Sequence, residues 1–255
     1  MSDNPQTNPE MREVRLVMPP LKPVVTNTLF AITVAIFLVQ LATQSFMELD
    51  IPATLGMKVN ALIAHGQVWR LITPMFLHGS ILHVALNMYA LFILGRGLEQ
   101  YYGHTRFLWL YFLSGFAGNV ISMLFSPHNS LGSSTAIFGL IAAQGVFVYQ
   151  NRKVFGGNAQ RALMNVFLVA GLNFIIGMSP GIDNWGHLGG FIAGIAFSWL
   201  AGPMLQPVLT HDPNGQPIAT LADQRDQHDV YQAILIVGVV FIFLAAGGIY
   251  FYKPK

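Results

Sequence analysis

The chain is 255 residues long, 53% hydrophobic and only 9% charged, whereas soluble domains carry roughly a quarter charged residues; the composition is that of a membrane protein. Cysteine is absent, which removes disulfides and thiolate chemistry. A net charge of +2 without a long basic run gives no reason to expect a nucleic-acid partner.

Residues 1–23 are polar and dotted with proline, and are expected to form a short flexible cytoplasmic tail. They lack the apolar core and small-residue cleavage site of a signal peptide, and they are neither Arg-rich nor acid-poor like an import presequence. The first span is therefore expected to be retained. Apolar runs of about 17 to 25 residues, enough to cross a bilayer, fall at 24–44, 76–94, 107–125, 134–150, 162–178, 186–205 and 232–252. They predict an all-α polytopic membrane helix bundle. The segment 45–77 is long and amphipathic, and an acidic cytoplasmic linker, 206–231, precedes the last helix and C-terminus at 232–255.

Positive charge sets the orientation. With the N-terminus in the cytoplasm, Arg12, Arg15, Lys22, Arg96, Arg106, Arg152, Lys153, Arg161 and Arg225 lie inside, against Lys58, Arg70, Lys253 and Lys255 outside. The linker fits less well, with one Arg against Asp212, Asp223, Asp226 and Asp229, but acidic residues weigh little in this rule. In this arrangement the second, fourth and sixth spans run inward. Their polar first turns then share one depth near the outer face.

Those turns hold His83 and Asn87 in "HGSILHVALNM", Ser134 in "GSSTAIFGL", and His187 in "DNWGHLGGFIAG". His83 and Asn87 are four apart and project from one helix face. Either alone is explained by inter-helix hydrogen bonding; together with a serine and an imidazole at matching depth they point to a wet functional cavity. Ser134 opens a helix whose first N–H groups are unpaired and whose dipole is positive there, an environment that stabilises an oxyanion. Gly132 permits the unusual backbone or close approach such a turn needs. Ser133 reads as the N-cap, although spacing leaves the roles of the two serines interchangeable. Gly186, Gly190 and Gly194 form a small-residue ladder, and Gly139 with Ala143 offers a similar surface, so the fourth and sixth spans are expected to pack closely. His187 then comes within the roughly 2.6–3.2 Å that a serine–histidine base pair requires.

From about residue 60 to 200 the sequence resembles the rhomboid family of intramembrane serine proteases. The resemblance rests on "WRLITPMFLHGS", "HVALN", "GRGLEQYYG", "GSSTAIFGL" and "NWGHLGGFIAG", in that order. It implies a six-helix protease core over 24–205 with one added C-terminal transmembrane helix. It also implies Ser134 as nucleophile, His187 as general base, and an oxyanion site from His83, Asn87 and the Ser134 amide. Phe138 falls where the family sets an aromatic ring against the catalytic histidine; Gly132, Gly190 and Gly194 play supporting parts. The implied substrates are single-span membrane proteins cut in or beside their transmembrane helix. One departure is Thr135, where the family usually has glycine; its β-branched volume bears on turnover and specificity.

No third acid is evident, so a Ser/His dyad is expected without metal or cofactor. Asp183, four residues before His187, reads as a solvated or helix-start residue, and Glu99 lies toward the cytoplasmic end of the second span. Trp69 and Arg70 suit an interfacial anchor. His65, His104, His128, His211 and His228 read as solvated. His78 and His83, five apart, do not replace an HExxH helix. The competing readings are a non-catalytic rhomboid-like protein that binds membrane helices through the same groove, and a transporter, which would more often carry buried charges or broken helices. A bacterial inner membrane is the expected location; the oligomeric state has no sequence signal.

Overall fold

The computed structural model describes residues 16–17, 20–177, 179, 181–211 and 217–252. Arg12, Arg15, Asp212, Lys253, Lys255 and the end of the predicted 162–178 span at Met178 lie outside the described residues. The helices are α1 Val24–Met47, α2 Ile51–Gly56, α3 Asn60–Ala64, α4 Ile81–Ala90, α5 Arg96–Phe125, α6 Ser134–Gln150, α7 Arg152–Phe155, α8 Asn158–Gly177, α9 Asn184–Ala201 and α10 Gln227–Tyr252. Three short strands accompany them, β1 Leu16–Val17, β2 Leu205–His211 and β3 Pro217–Asp223. Among these, Val24–Met47, the run Ile81–Phe125, Asn158–Ile176 and α10 are long and apolar enough to cross a membrane, and α6 is a shorter apolar helix.

The run from Ile81 to Phe125 is two limbs. A π turn at Leu91–Gly95 continues α4 into the first turns of α5, and Gly103, with φ 72° and ψ 169°, breaks the line. Only glycine adopts such angles without strain. The second limb returns to the level of α4's start, where Asn119 Nδ2 donates to the Leu71 carbonyl at 3.1 Å. The predicted 76–94 span begins later than expected, because Thr73–Phe76 forms a 3₁₀ turn and Ser80 starts the helix, its hydroxyl accepting from the His83 amide at 3.1 Å.

α6 sits in the middle of the bundle. Its buried positions run continuously from Thr135 to Ala143, as expected of a helix apolar on every side. α5 and α9 pack on it and on each other, with α8 and α10 more peripheral. The α10 stripe of Val230, Ala233, Val237, Phe241, Ala245 and Gly248 is buried at three- and four-residue spacing, and α10 lies against α5, α9 and α3.

Two segments expected to be irregular carry strands. β3 pairs antiparallel with β2 and parallel with β1, with Leu16 opposite Ala219 and Val17 opposite Thr220. The sheet therefore joins the sequence before α1 to the stretch read as a linker. Arg106 fastens this sheet to α5 by binding the Asp223 carboxylate. Arg225 donates to the Trp199 carbonyl at 2.9 Å and the Gly202 carbonyl at 3.3 Å, satisfying carbonyls that the end of α9 leaves free.

The connection from 45 to 80 is folded on side chains reaching main-chain acceptors. Arg70 is not an exposed anchor: it is 3% exposed and donates to the carbonyls of Met57 and Thr54, both at 2.8 Å, and to Gln67 at 2.7 Å. Trp69 remains half exposed, donating to the Leu55 carbonyl. Gln40 of α1 is buried and exchanges two hydrogen bonds with the His78 main chain while donating to Asp50.

Candidate active site

The first turns of α4, α6 and α9 meet at one end of the bundle around a cavity of about 570 Å³, whose walls include His83, Asn87, Gly132, Ser134, Phe138 and His187. Ser134 Oγ lies 2.9 Å from His187 Nε2. Ser134 is half-buried and faces the cavity, whereas His187 is buried. The imidazole is stacked on Phe138, with ring centroids 4.2 Å apart and planes 13° from parallel; Phe138 is in turn held edge-on by Phe174 of α8 at 4.8 Å. Packing therefore fixes the ring. Among the described residues His187 Nδ1 has no hydrogen-bond partner.

Close helix approach makes this pair possible. A Cβ on Gly190 would lie 1.9 Å from the Thr135 carbonyl oxygen, and one on Gly194 would lie 2.3 Å from that of Gly139. Any larger side chain would push α9 from α6 and carry His187 away from Ser134. Thr135 fits this seam because it faces two further glycines, Gly118 of α5 and Gly186 of α9.

Gly132 has φ 138°, in the left-handed range, and a Cβ there would meet His83 Nε2 at 2.8 Å. Its amide donates to the Pro74 carbonyl at 2.9 Å. The His83 ring thus lies against the backbone just before the two serines. The Gly79 amide points at His83 Nδ1 over a long 3.5 Å, while Nε2 is turned toward Gly132. Asn87 Nδ2 donates to the His83 carbonyl at 2.9 Å and its side chain lines the same cavity. All eight residues singled out in the sequence, Ser134, His187, His83, Asn87, Gly132, Phe138, Gly190 and Gly194, come together here or at the seam beneath.

Ser133 does not cap α6. Its backbone is helical (φ −75°, ψ −2°) and its side chain makes no capping bond. The hydroxyl is fully buried and lies 3.2 Å from His78 Nε2, whose ring meets His83 edge-on at 5.0 Å. His78 thus braces the residue before Ser134. Asp183 is a helix-start residue: its carboxylate accepts from the Gly186 amide at 3.0 Å and from the Ser122 hydroxyl, not from His187. His104, expected to be solvated, is partly exposed and donates from Nδ1 to the Glu99 carboxylate at 2.6 Å.

Sequence reasoning passed over Lys58, Ser122 and Gln40, which hold the surrounding connections. The one signal for Lys58 is a single cation inside the otherwise uncharged run "IPATLGMKVNALIAHG".

A model of the Rhomboid domain matches residues 65–204, more than half of the chain. The chain belongs to the rhomboid family, and it is a multi-pass membrane protein. It is 37% identical over 173 residues to Rhomboid protease GluP of Bacillus subtilis (strain 168), covering 68% of this chain and 34% of that protein. It is 32% identical over 193 residues to RHOMBOID-like protein 1 of Arabidopsis thaliana, covering 74% of this chain and 49% of the relative. Rhomboid-like protease 3 of Toxoplasma gondii is 38% identical over 144 residues, 56% of this chain and 55% of its own length. The chain thus spans between a third and about half the length of these relatives.

Proposed function

We propose that this protein is a serine-type intramembrane endopeptidase that hydrolyses a peptide bond in or near the transmembrane helix of single-span membrane proteins. The observation that carries this reading is the 2.9 Å contact between Ser134 Oγ and His187 Nε2 on the wall of a cavity large enough for a peptide segment and water. His187 Nε2 takes the hydroxyl proton as Oγ attacks the carbonyl carbon. The same nitrogen then returns that proton to the leaving amine, giving an acyl-enzyme on Ser134. A water, deprotonated by the freed imidazole, attacks the ester and regenerates Ser134.

The oxyanion that forms in both steps faces three donors: the Ser134 amide at the positive start of α6, His83 Nε2–H and the Asn87 carboxamide. With Nδ1 of His187 unpartnered among the described residues and Asp183 engaged elsewhere, the pair works as a dyad. Its orientation comes from Phe138 rather than from an acid. Charge distribution favours a cytoplasmic N-terminus, and a bacterial inner membrane is the setting that fits.

The test uses the purified full chain in liposomes with a panel of single-span substrates. Ser134→Ala and His187→Ala are each expected to abolish cleavage, while a fluorophosphonate probe labels Ser134 in the wild type. Undiminished cleavage by Ser134→Ala, or probe attachment at Ser133, sinks the assignment. Loss of one oxyanion donor, as in Asn87→Ala, is expected to lower kcat about a hundredfold with substrate still bound.

A further inference from the structure

Lys58 is fully buried although it lies in the connection between α2 and α3, where a lysine could have reached water. Burying an ammonium is costly unless its donors are met, and here all three are. Nζ donates to Ser122 Oγ at 2.8 Å, to the Ser126 carbonyl at 3.2 Å and to the His128 carbonyl at 2.8 Å. Lysine has no acceptor, so the Ser122 oxygen must receive this bond, and its proton is left to point at the Asp183 carboxylate. The other carboxylate oxygen holds the Gly186 amide at 3.0 Å, and the Asp183 carbonyl accepts from the His187 amide at 3.1 Å. The direction is therefore fixed from the ammonium to the first turn of α9. At the main chain, Lys58 and Ser130 exchange amide–carbonyl bonds of 2.9 and 3.2 Å, two residues before Gly132.

We propose that Lys58, acting through Ser122 and Asp183, is a positioning residue that fixes the start of α9, and with it the reach of His187 to Ser134. The same residue grips the approach to the serine through its backbone and the approach to the histidine through its side chain. This role rests on the proteolytic function proposed above. Shortening or lengthening the Nε2–Oγ separation by a fraction of an ångström alters proton transfer far more than substrate binding. The relay is thus expected to act on kcat.

Ser122→Ala cuts the relay cleanly. It leaves Lys58 with two carbonyl acceptors, Asp183 with the Gly186 amide, and α5 with a good helix former. In full-length protein in liposomes, with a cleaved single-span substrate, Ser122→Ala is expected to lower kcat about tenfold with KM within about twofold. Fluorophosphonate labelling of Ser134 should slow in proportion. Ser122→Thr, which keeps the hydroxyl, should recover kcat to within about twofold of wild type. Lys58→Met and Asp183→Asn should each slow the enzyme, and the double variant should be no slower than the slower single one, as expected of links in one relay. Wild-type kcat in Ser122→Ala, failure of Ser122→Thr to recover, or independent addition of the two losses overturns the proposal. If Lys58→Met does not fold, the Ser122 pair decides. A wild-type protein that neither cleaves nor labels at Ser134 defeats the proteolytic reading itself, whereas cleavage insensitive to the relay defeats the positioning role alone.

Discussion

Ser133 and Ser134 are adjacent, yet one is sealed against His78 and the other opens on the cavity. Their difference comes from the backbone: the helical angles at Ser133 deny its side chain the first-turn amides and turn it inward. Spacing could not separate these roles, because a serine before a helix is most simply a cap. Lys58 shows the same limit. Burial pushes its ammonium down from 10.5 to about 8, partly opposed by Asp183. Below pH 8 it is charged in both the folded and the unfolded chain, and its burial costs stability. Between about 8 and 10.5 the folded protein has lost a proton that the unfolded chain retains, so stability rises with pH through that window, by at most about 3 kcal/mol. Thermal unfolding in detergent should show this rise in the wild type and not in Lys58→Met; parallel profiles for the two proteins would contradict it.

Among the elements, the decisive contact is a three-helix seam. The ladder of Gly186, Gly190 and Gly194, with Gly139 opposite Gly194, was legible because small residues at helical spacing have one simple use in a membrane. The contribution of α5 was hidden, since Ser114, Gly115 and Gly118 lie inside a run that reads as an ordinary apolar span. Gly118 supplies the space that Thr135 needs: a Cβ there would stand 2.6 Å from both Thr135 Cβ and the Gly186 carbonyl oxygen. Gly118→Ala is therefore expected to destabilise the fold by about 1–3 kcal/mol through overpacking. Adding Thr135→Gly should restore part of this loss, leaving the Gly186 contact as the residue of it. Denaturation of the single and double variants in detergent measures the coupling, and strict additivity would place Thr135 outside the seam.

For the molecule as a whole, α1 is a lightly packed helix tied down at its two ends. At its start, where no side chain of its own caps it, the buried Glu99 accepts from the Val25 and Thr26 amides, both at 2.8 Å, and from the Thr26 hydroxyl at 2.6 Å. Near its other end Gln40 holds the His78 main chain. Glu99→Ala strips four donors of their acceptor, the His104 ring among them, and should cost about 3 kcal/mol or more, while Thr26→Ala removes one and should cost about 1 kcal/mol. Unfolding in mixed detergent tests the ranking, and equal losses would argue against Glu99 as the shared acceptor. The long apolar stretches are legible in hydropathy, but such long-range ties have no periodicity to reveal them. The sheet escaped for a similar reason, because the Asp, Pro and Gly residues of 206–231 carry the composition of a loop.

That sheet has an effect at a distance from its own sequence. Since β3 is flanked by β2 on one side and by β1 on the other, a proteolytic nick between the strands does more than free α10. It loosens the clasp on the chain leading into α1, so damage between two paired strands is felt at both borders of the helical core.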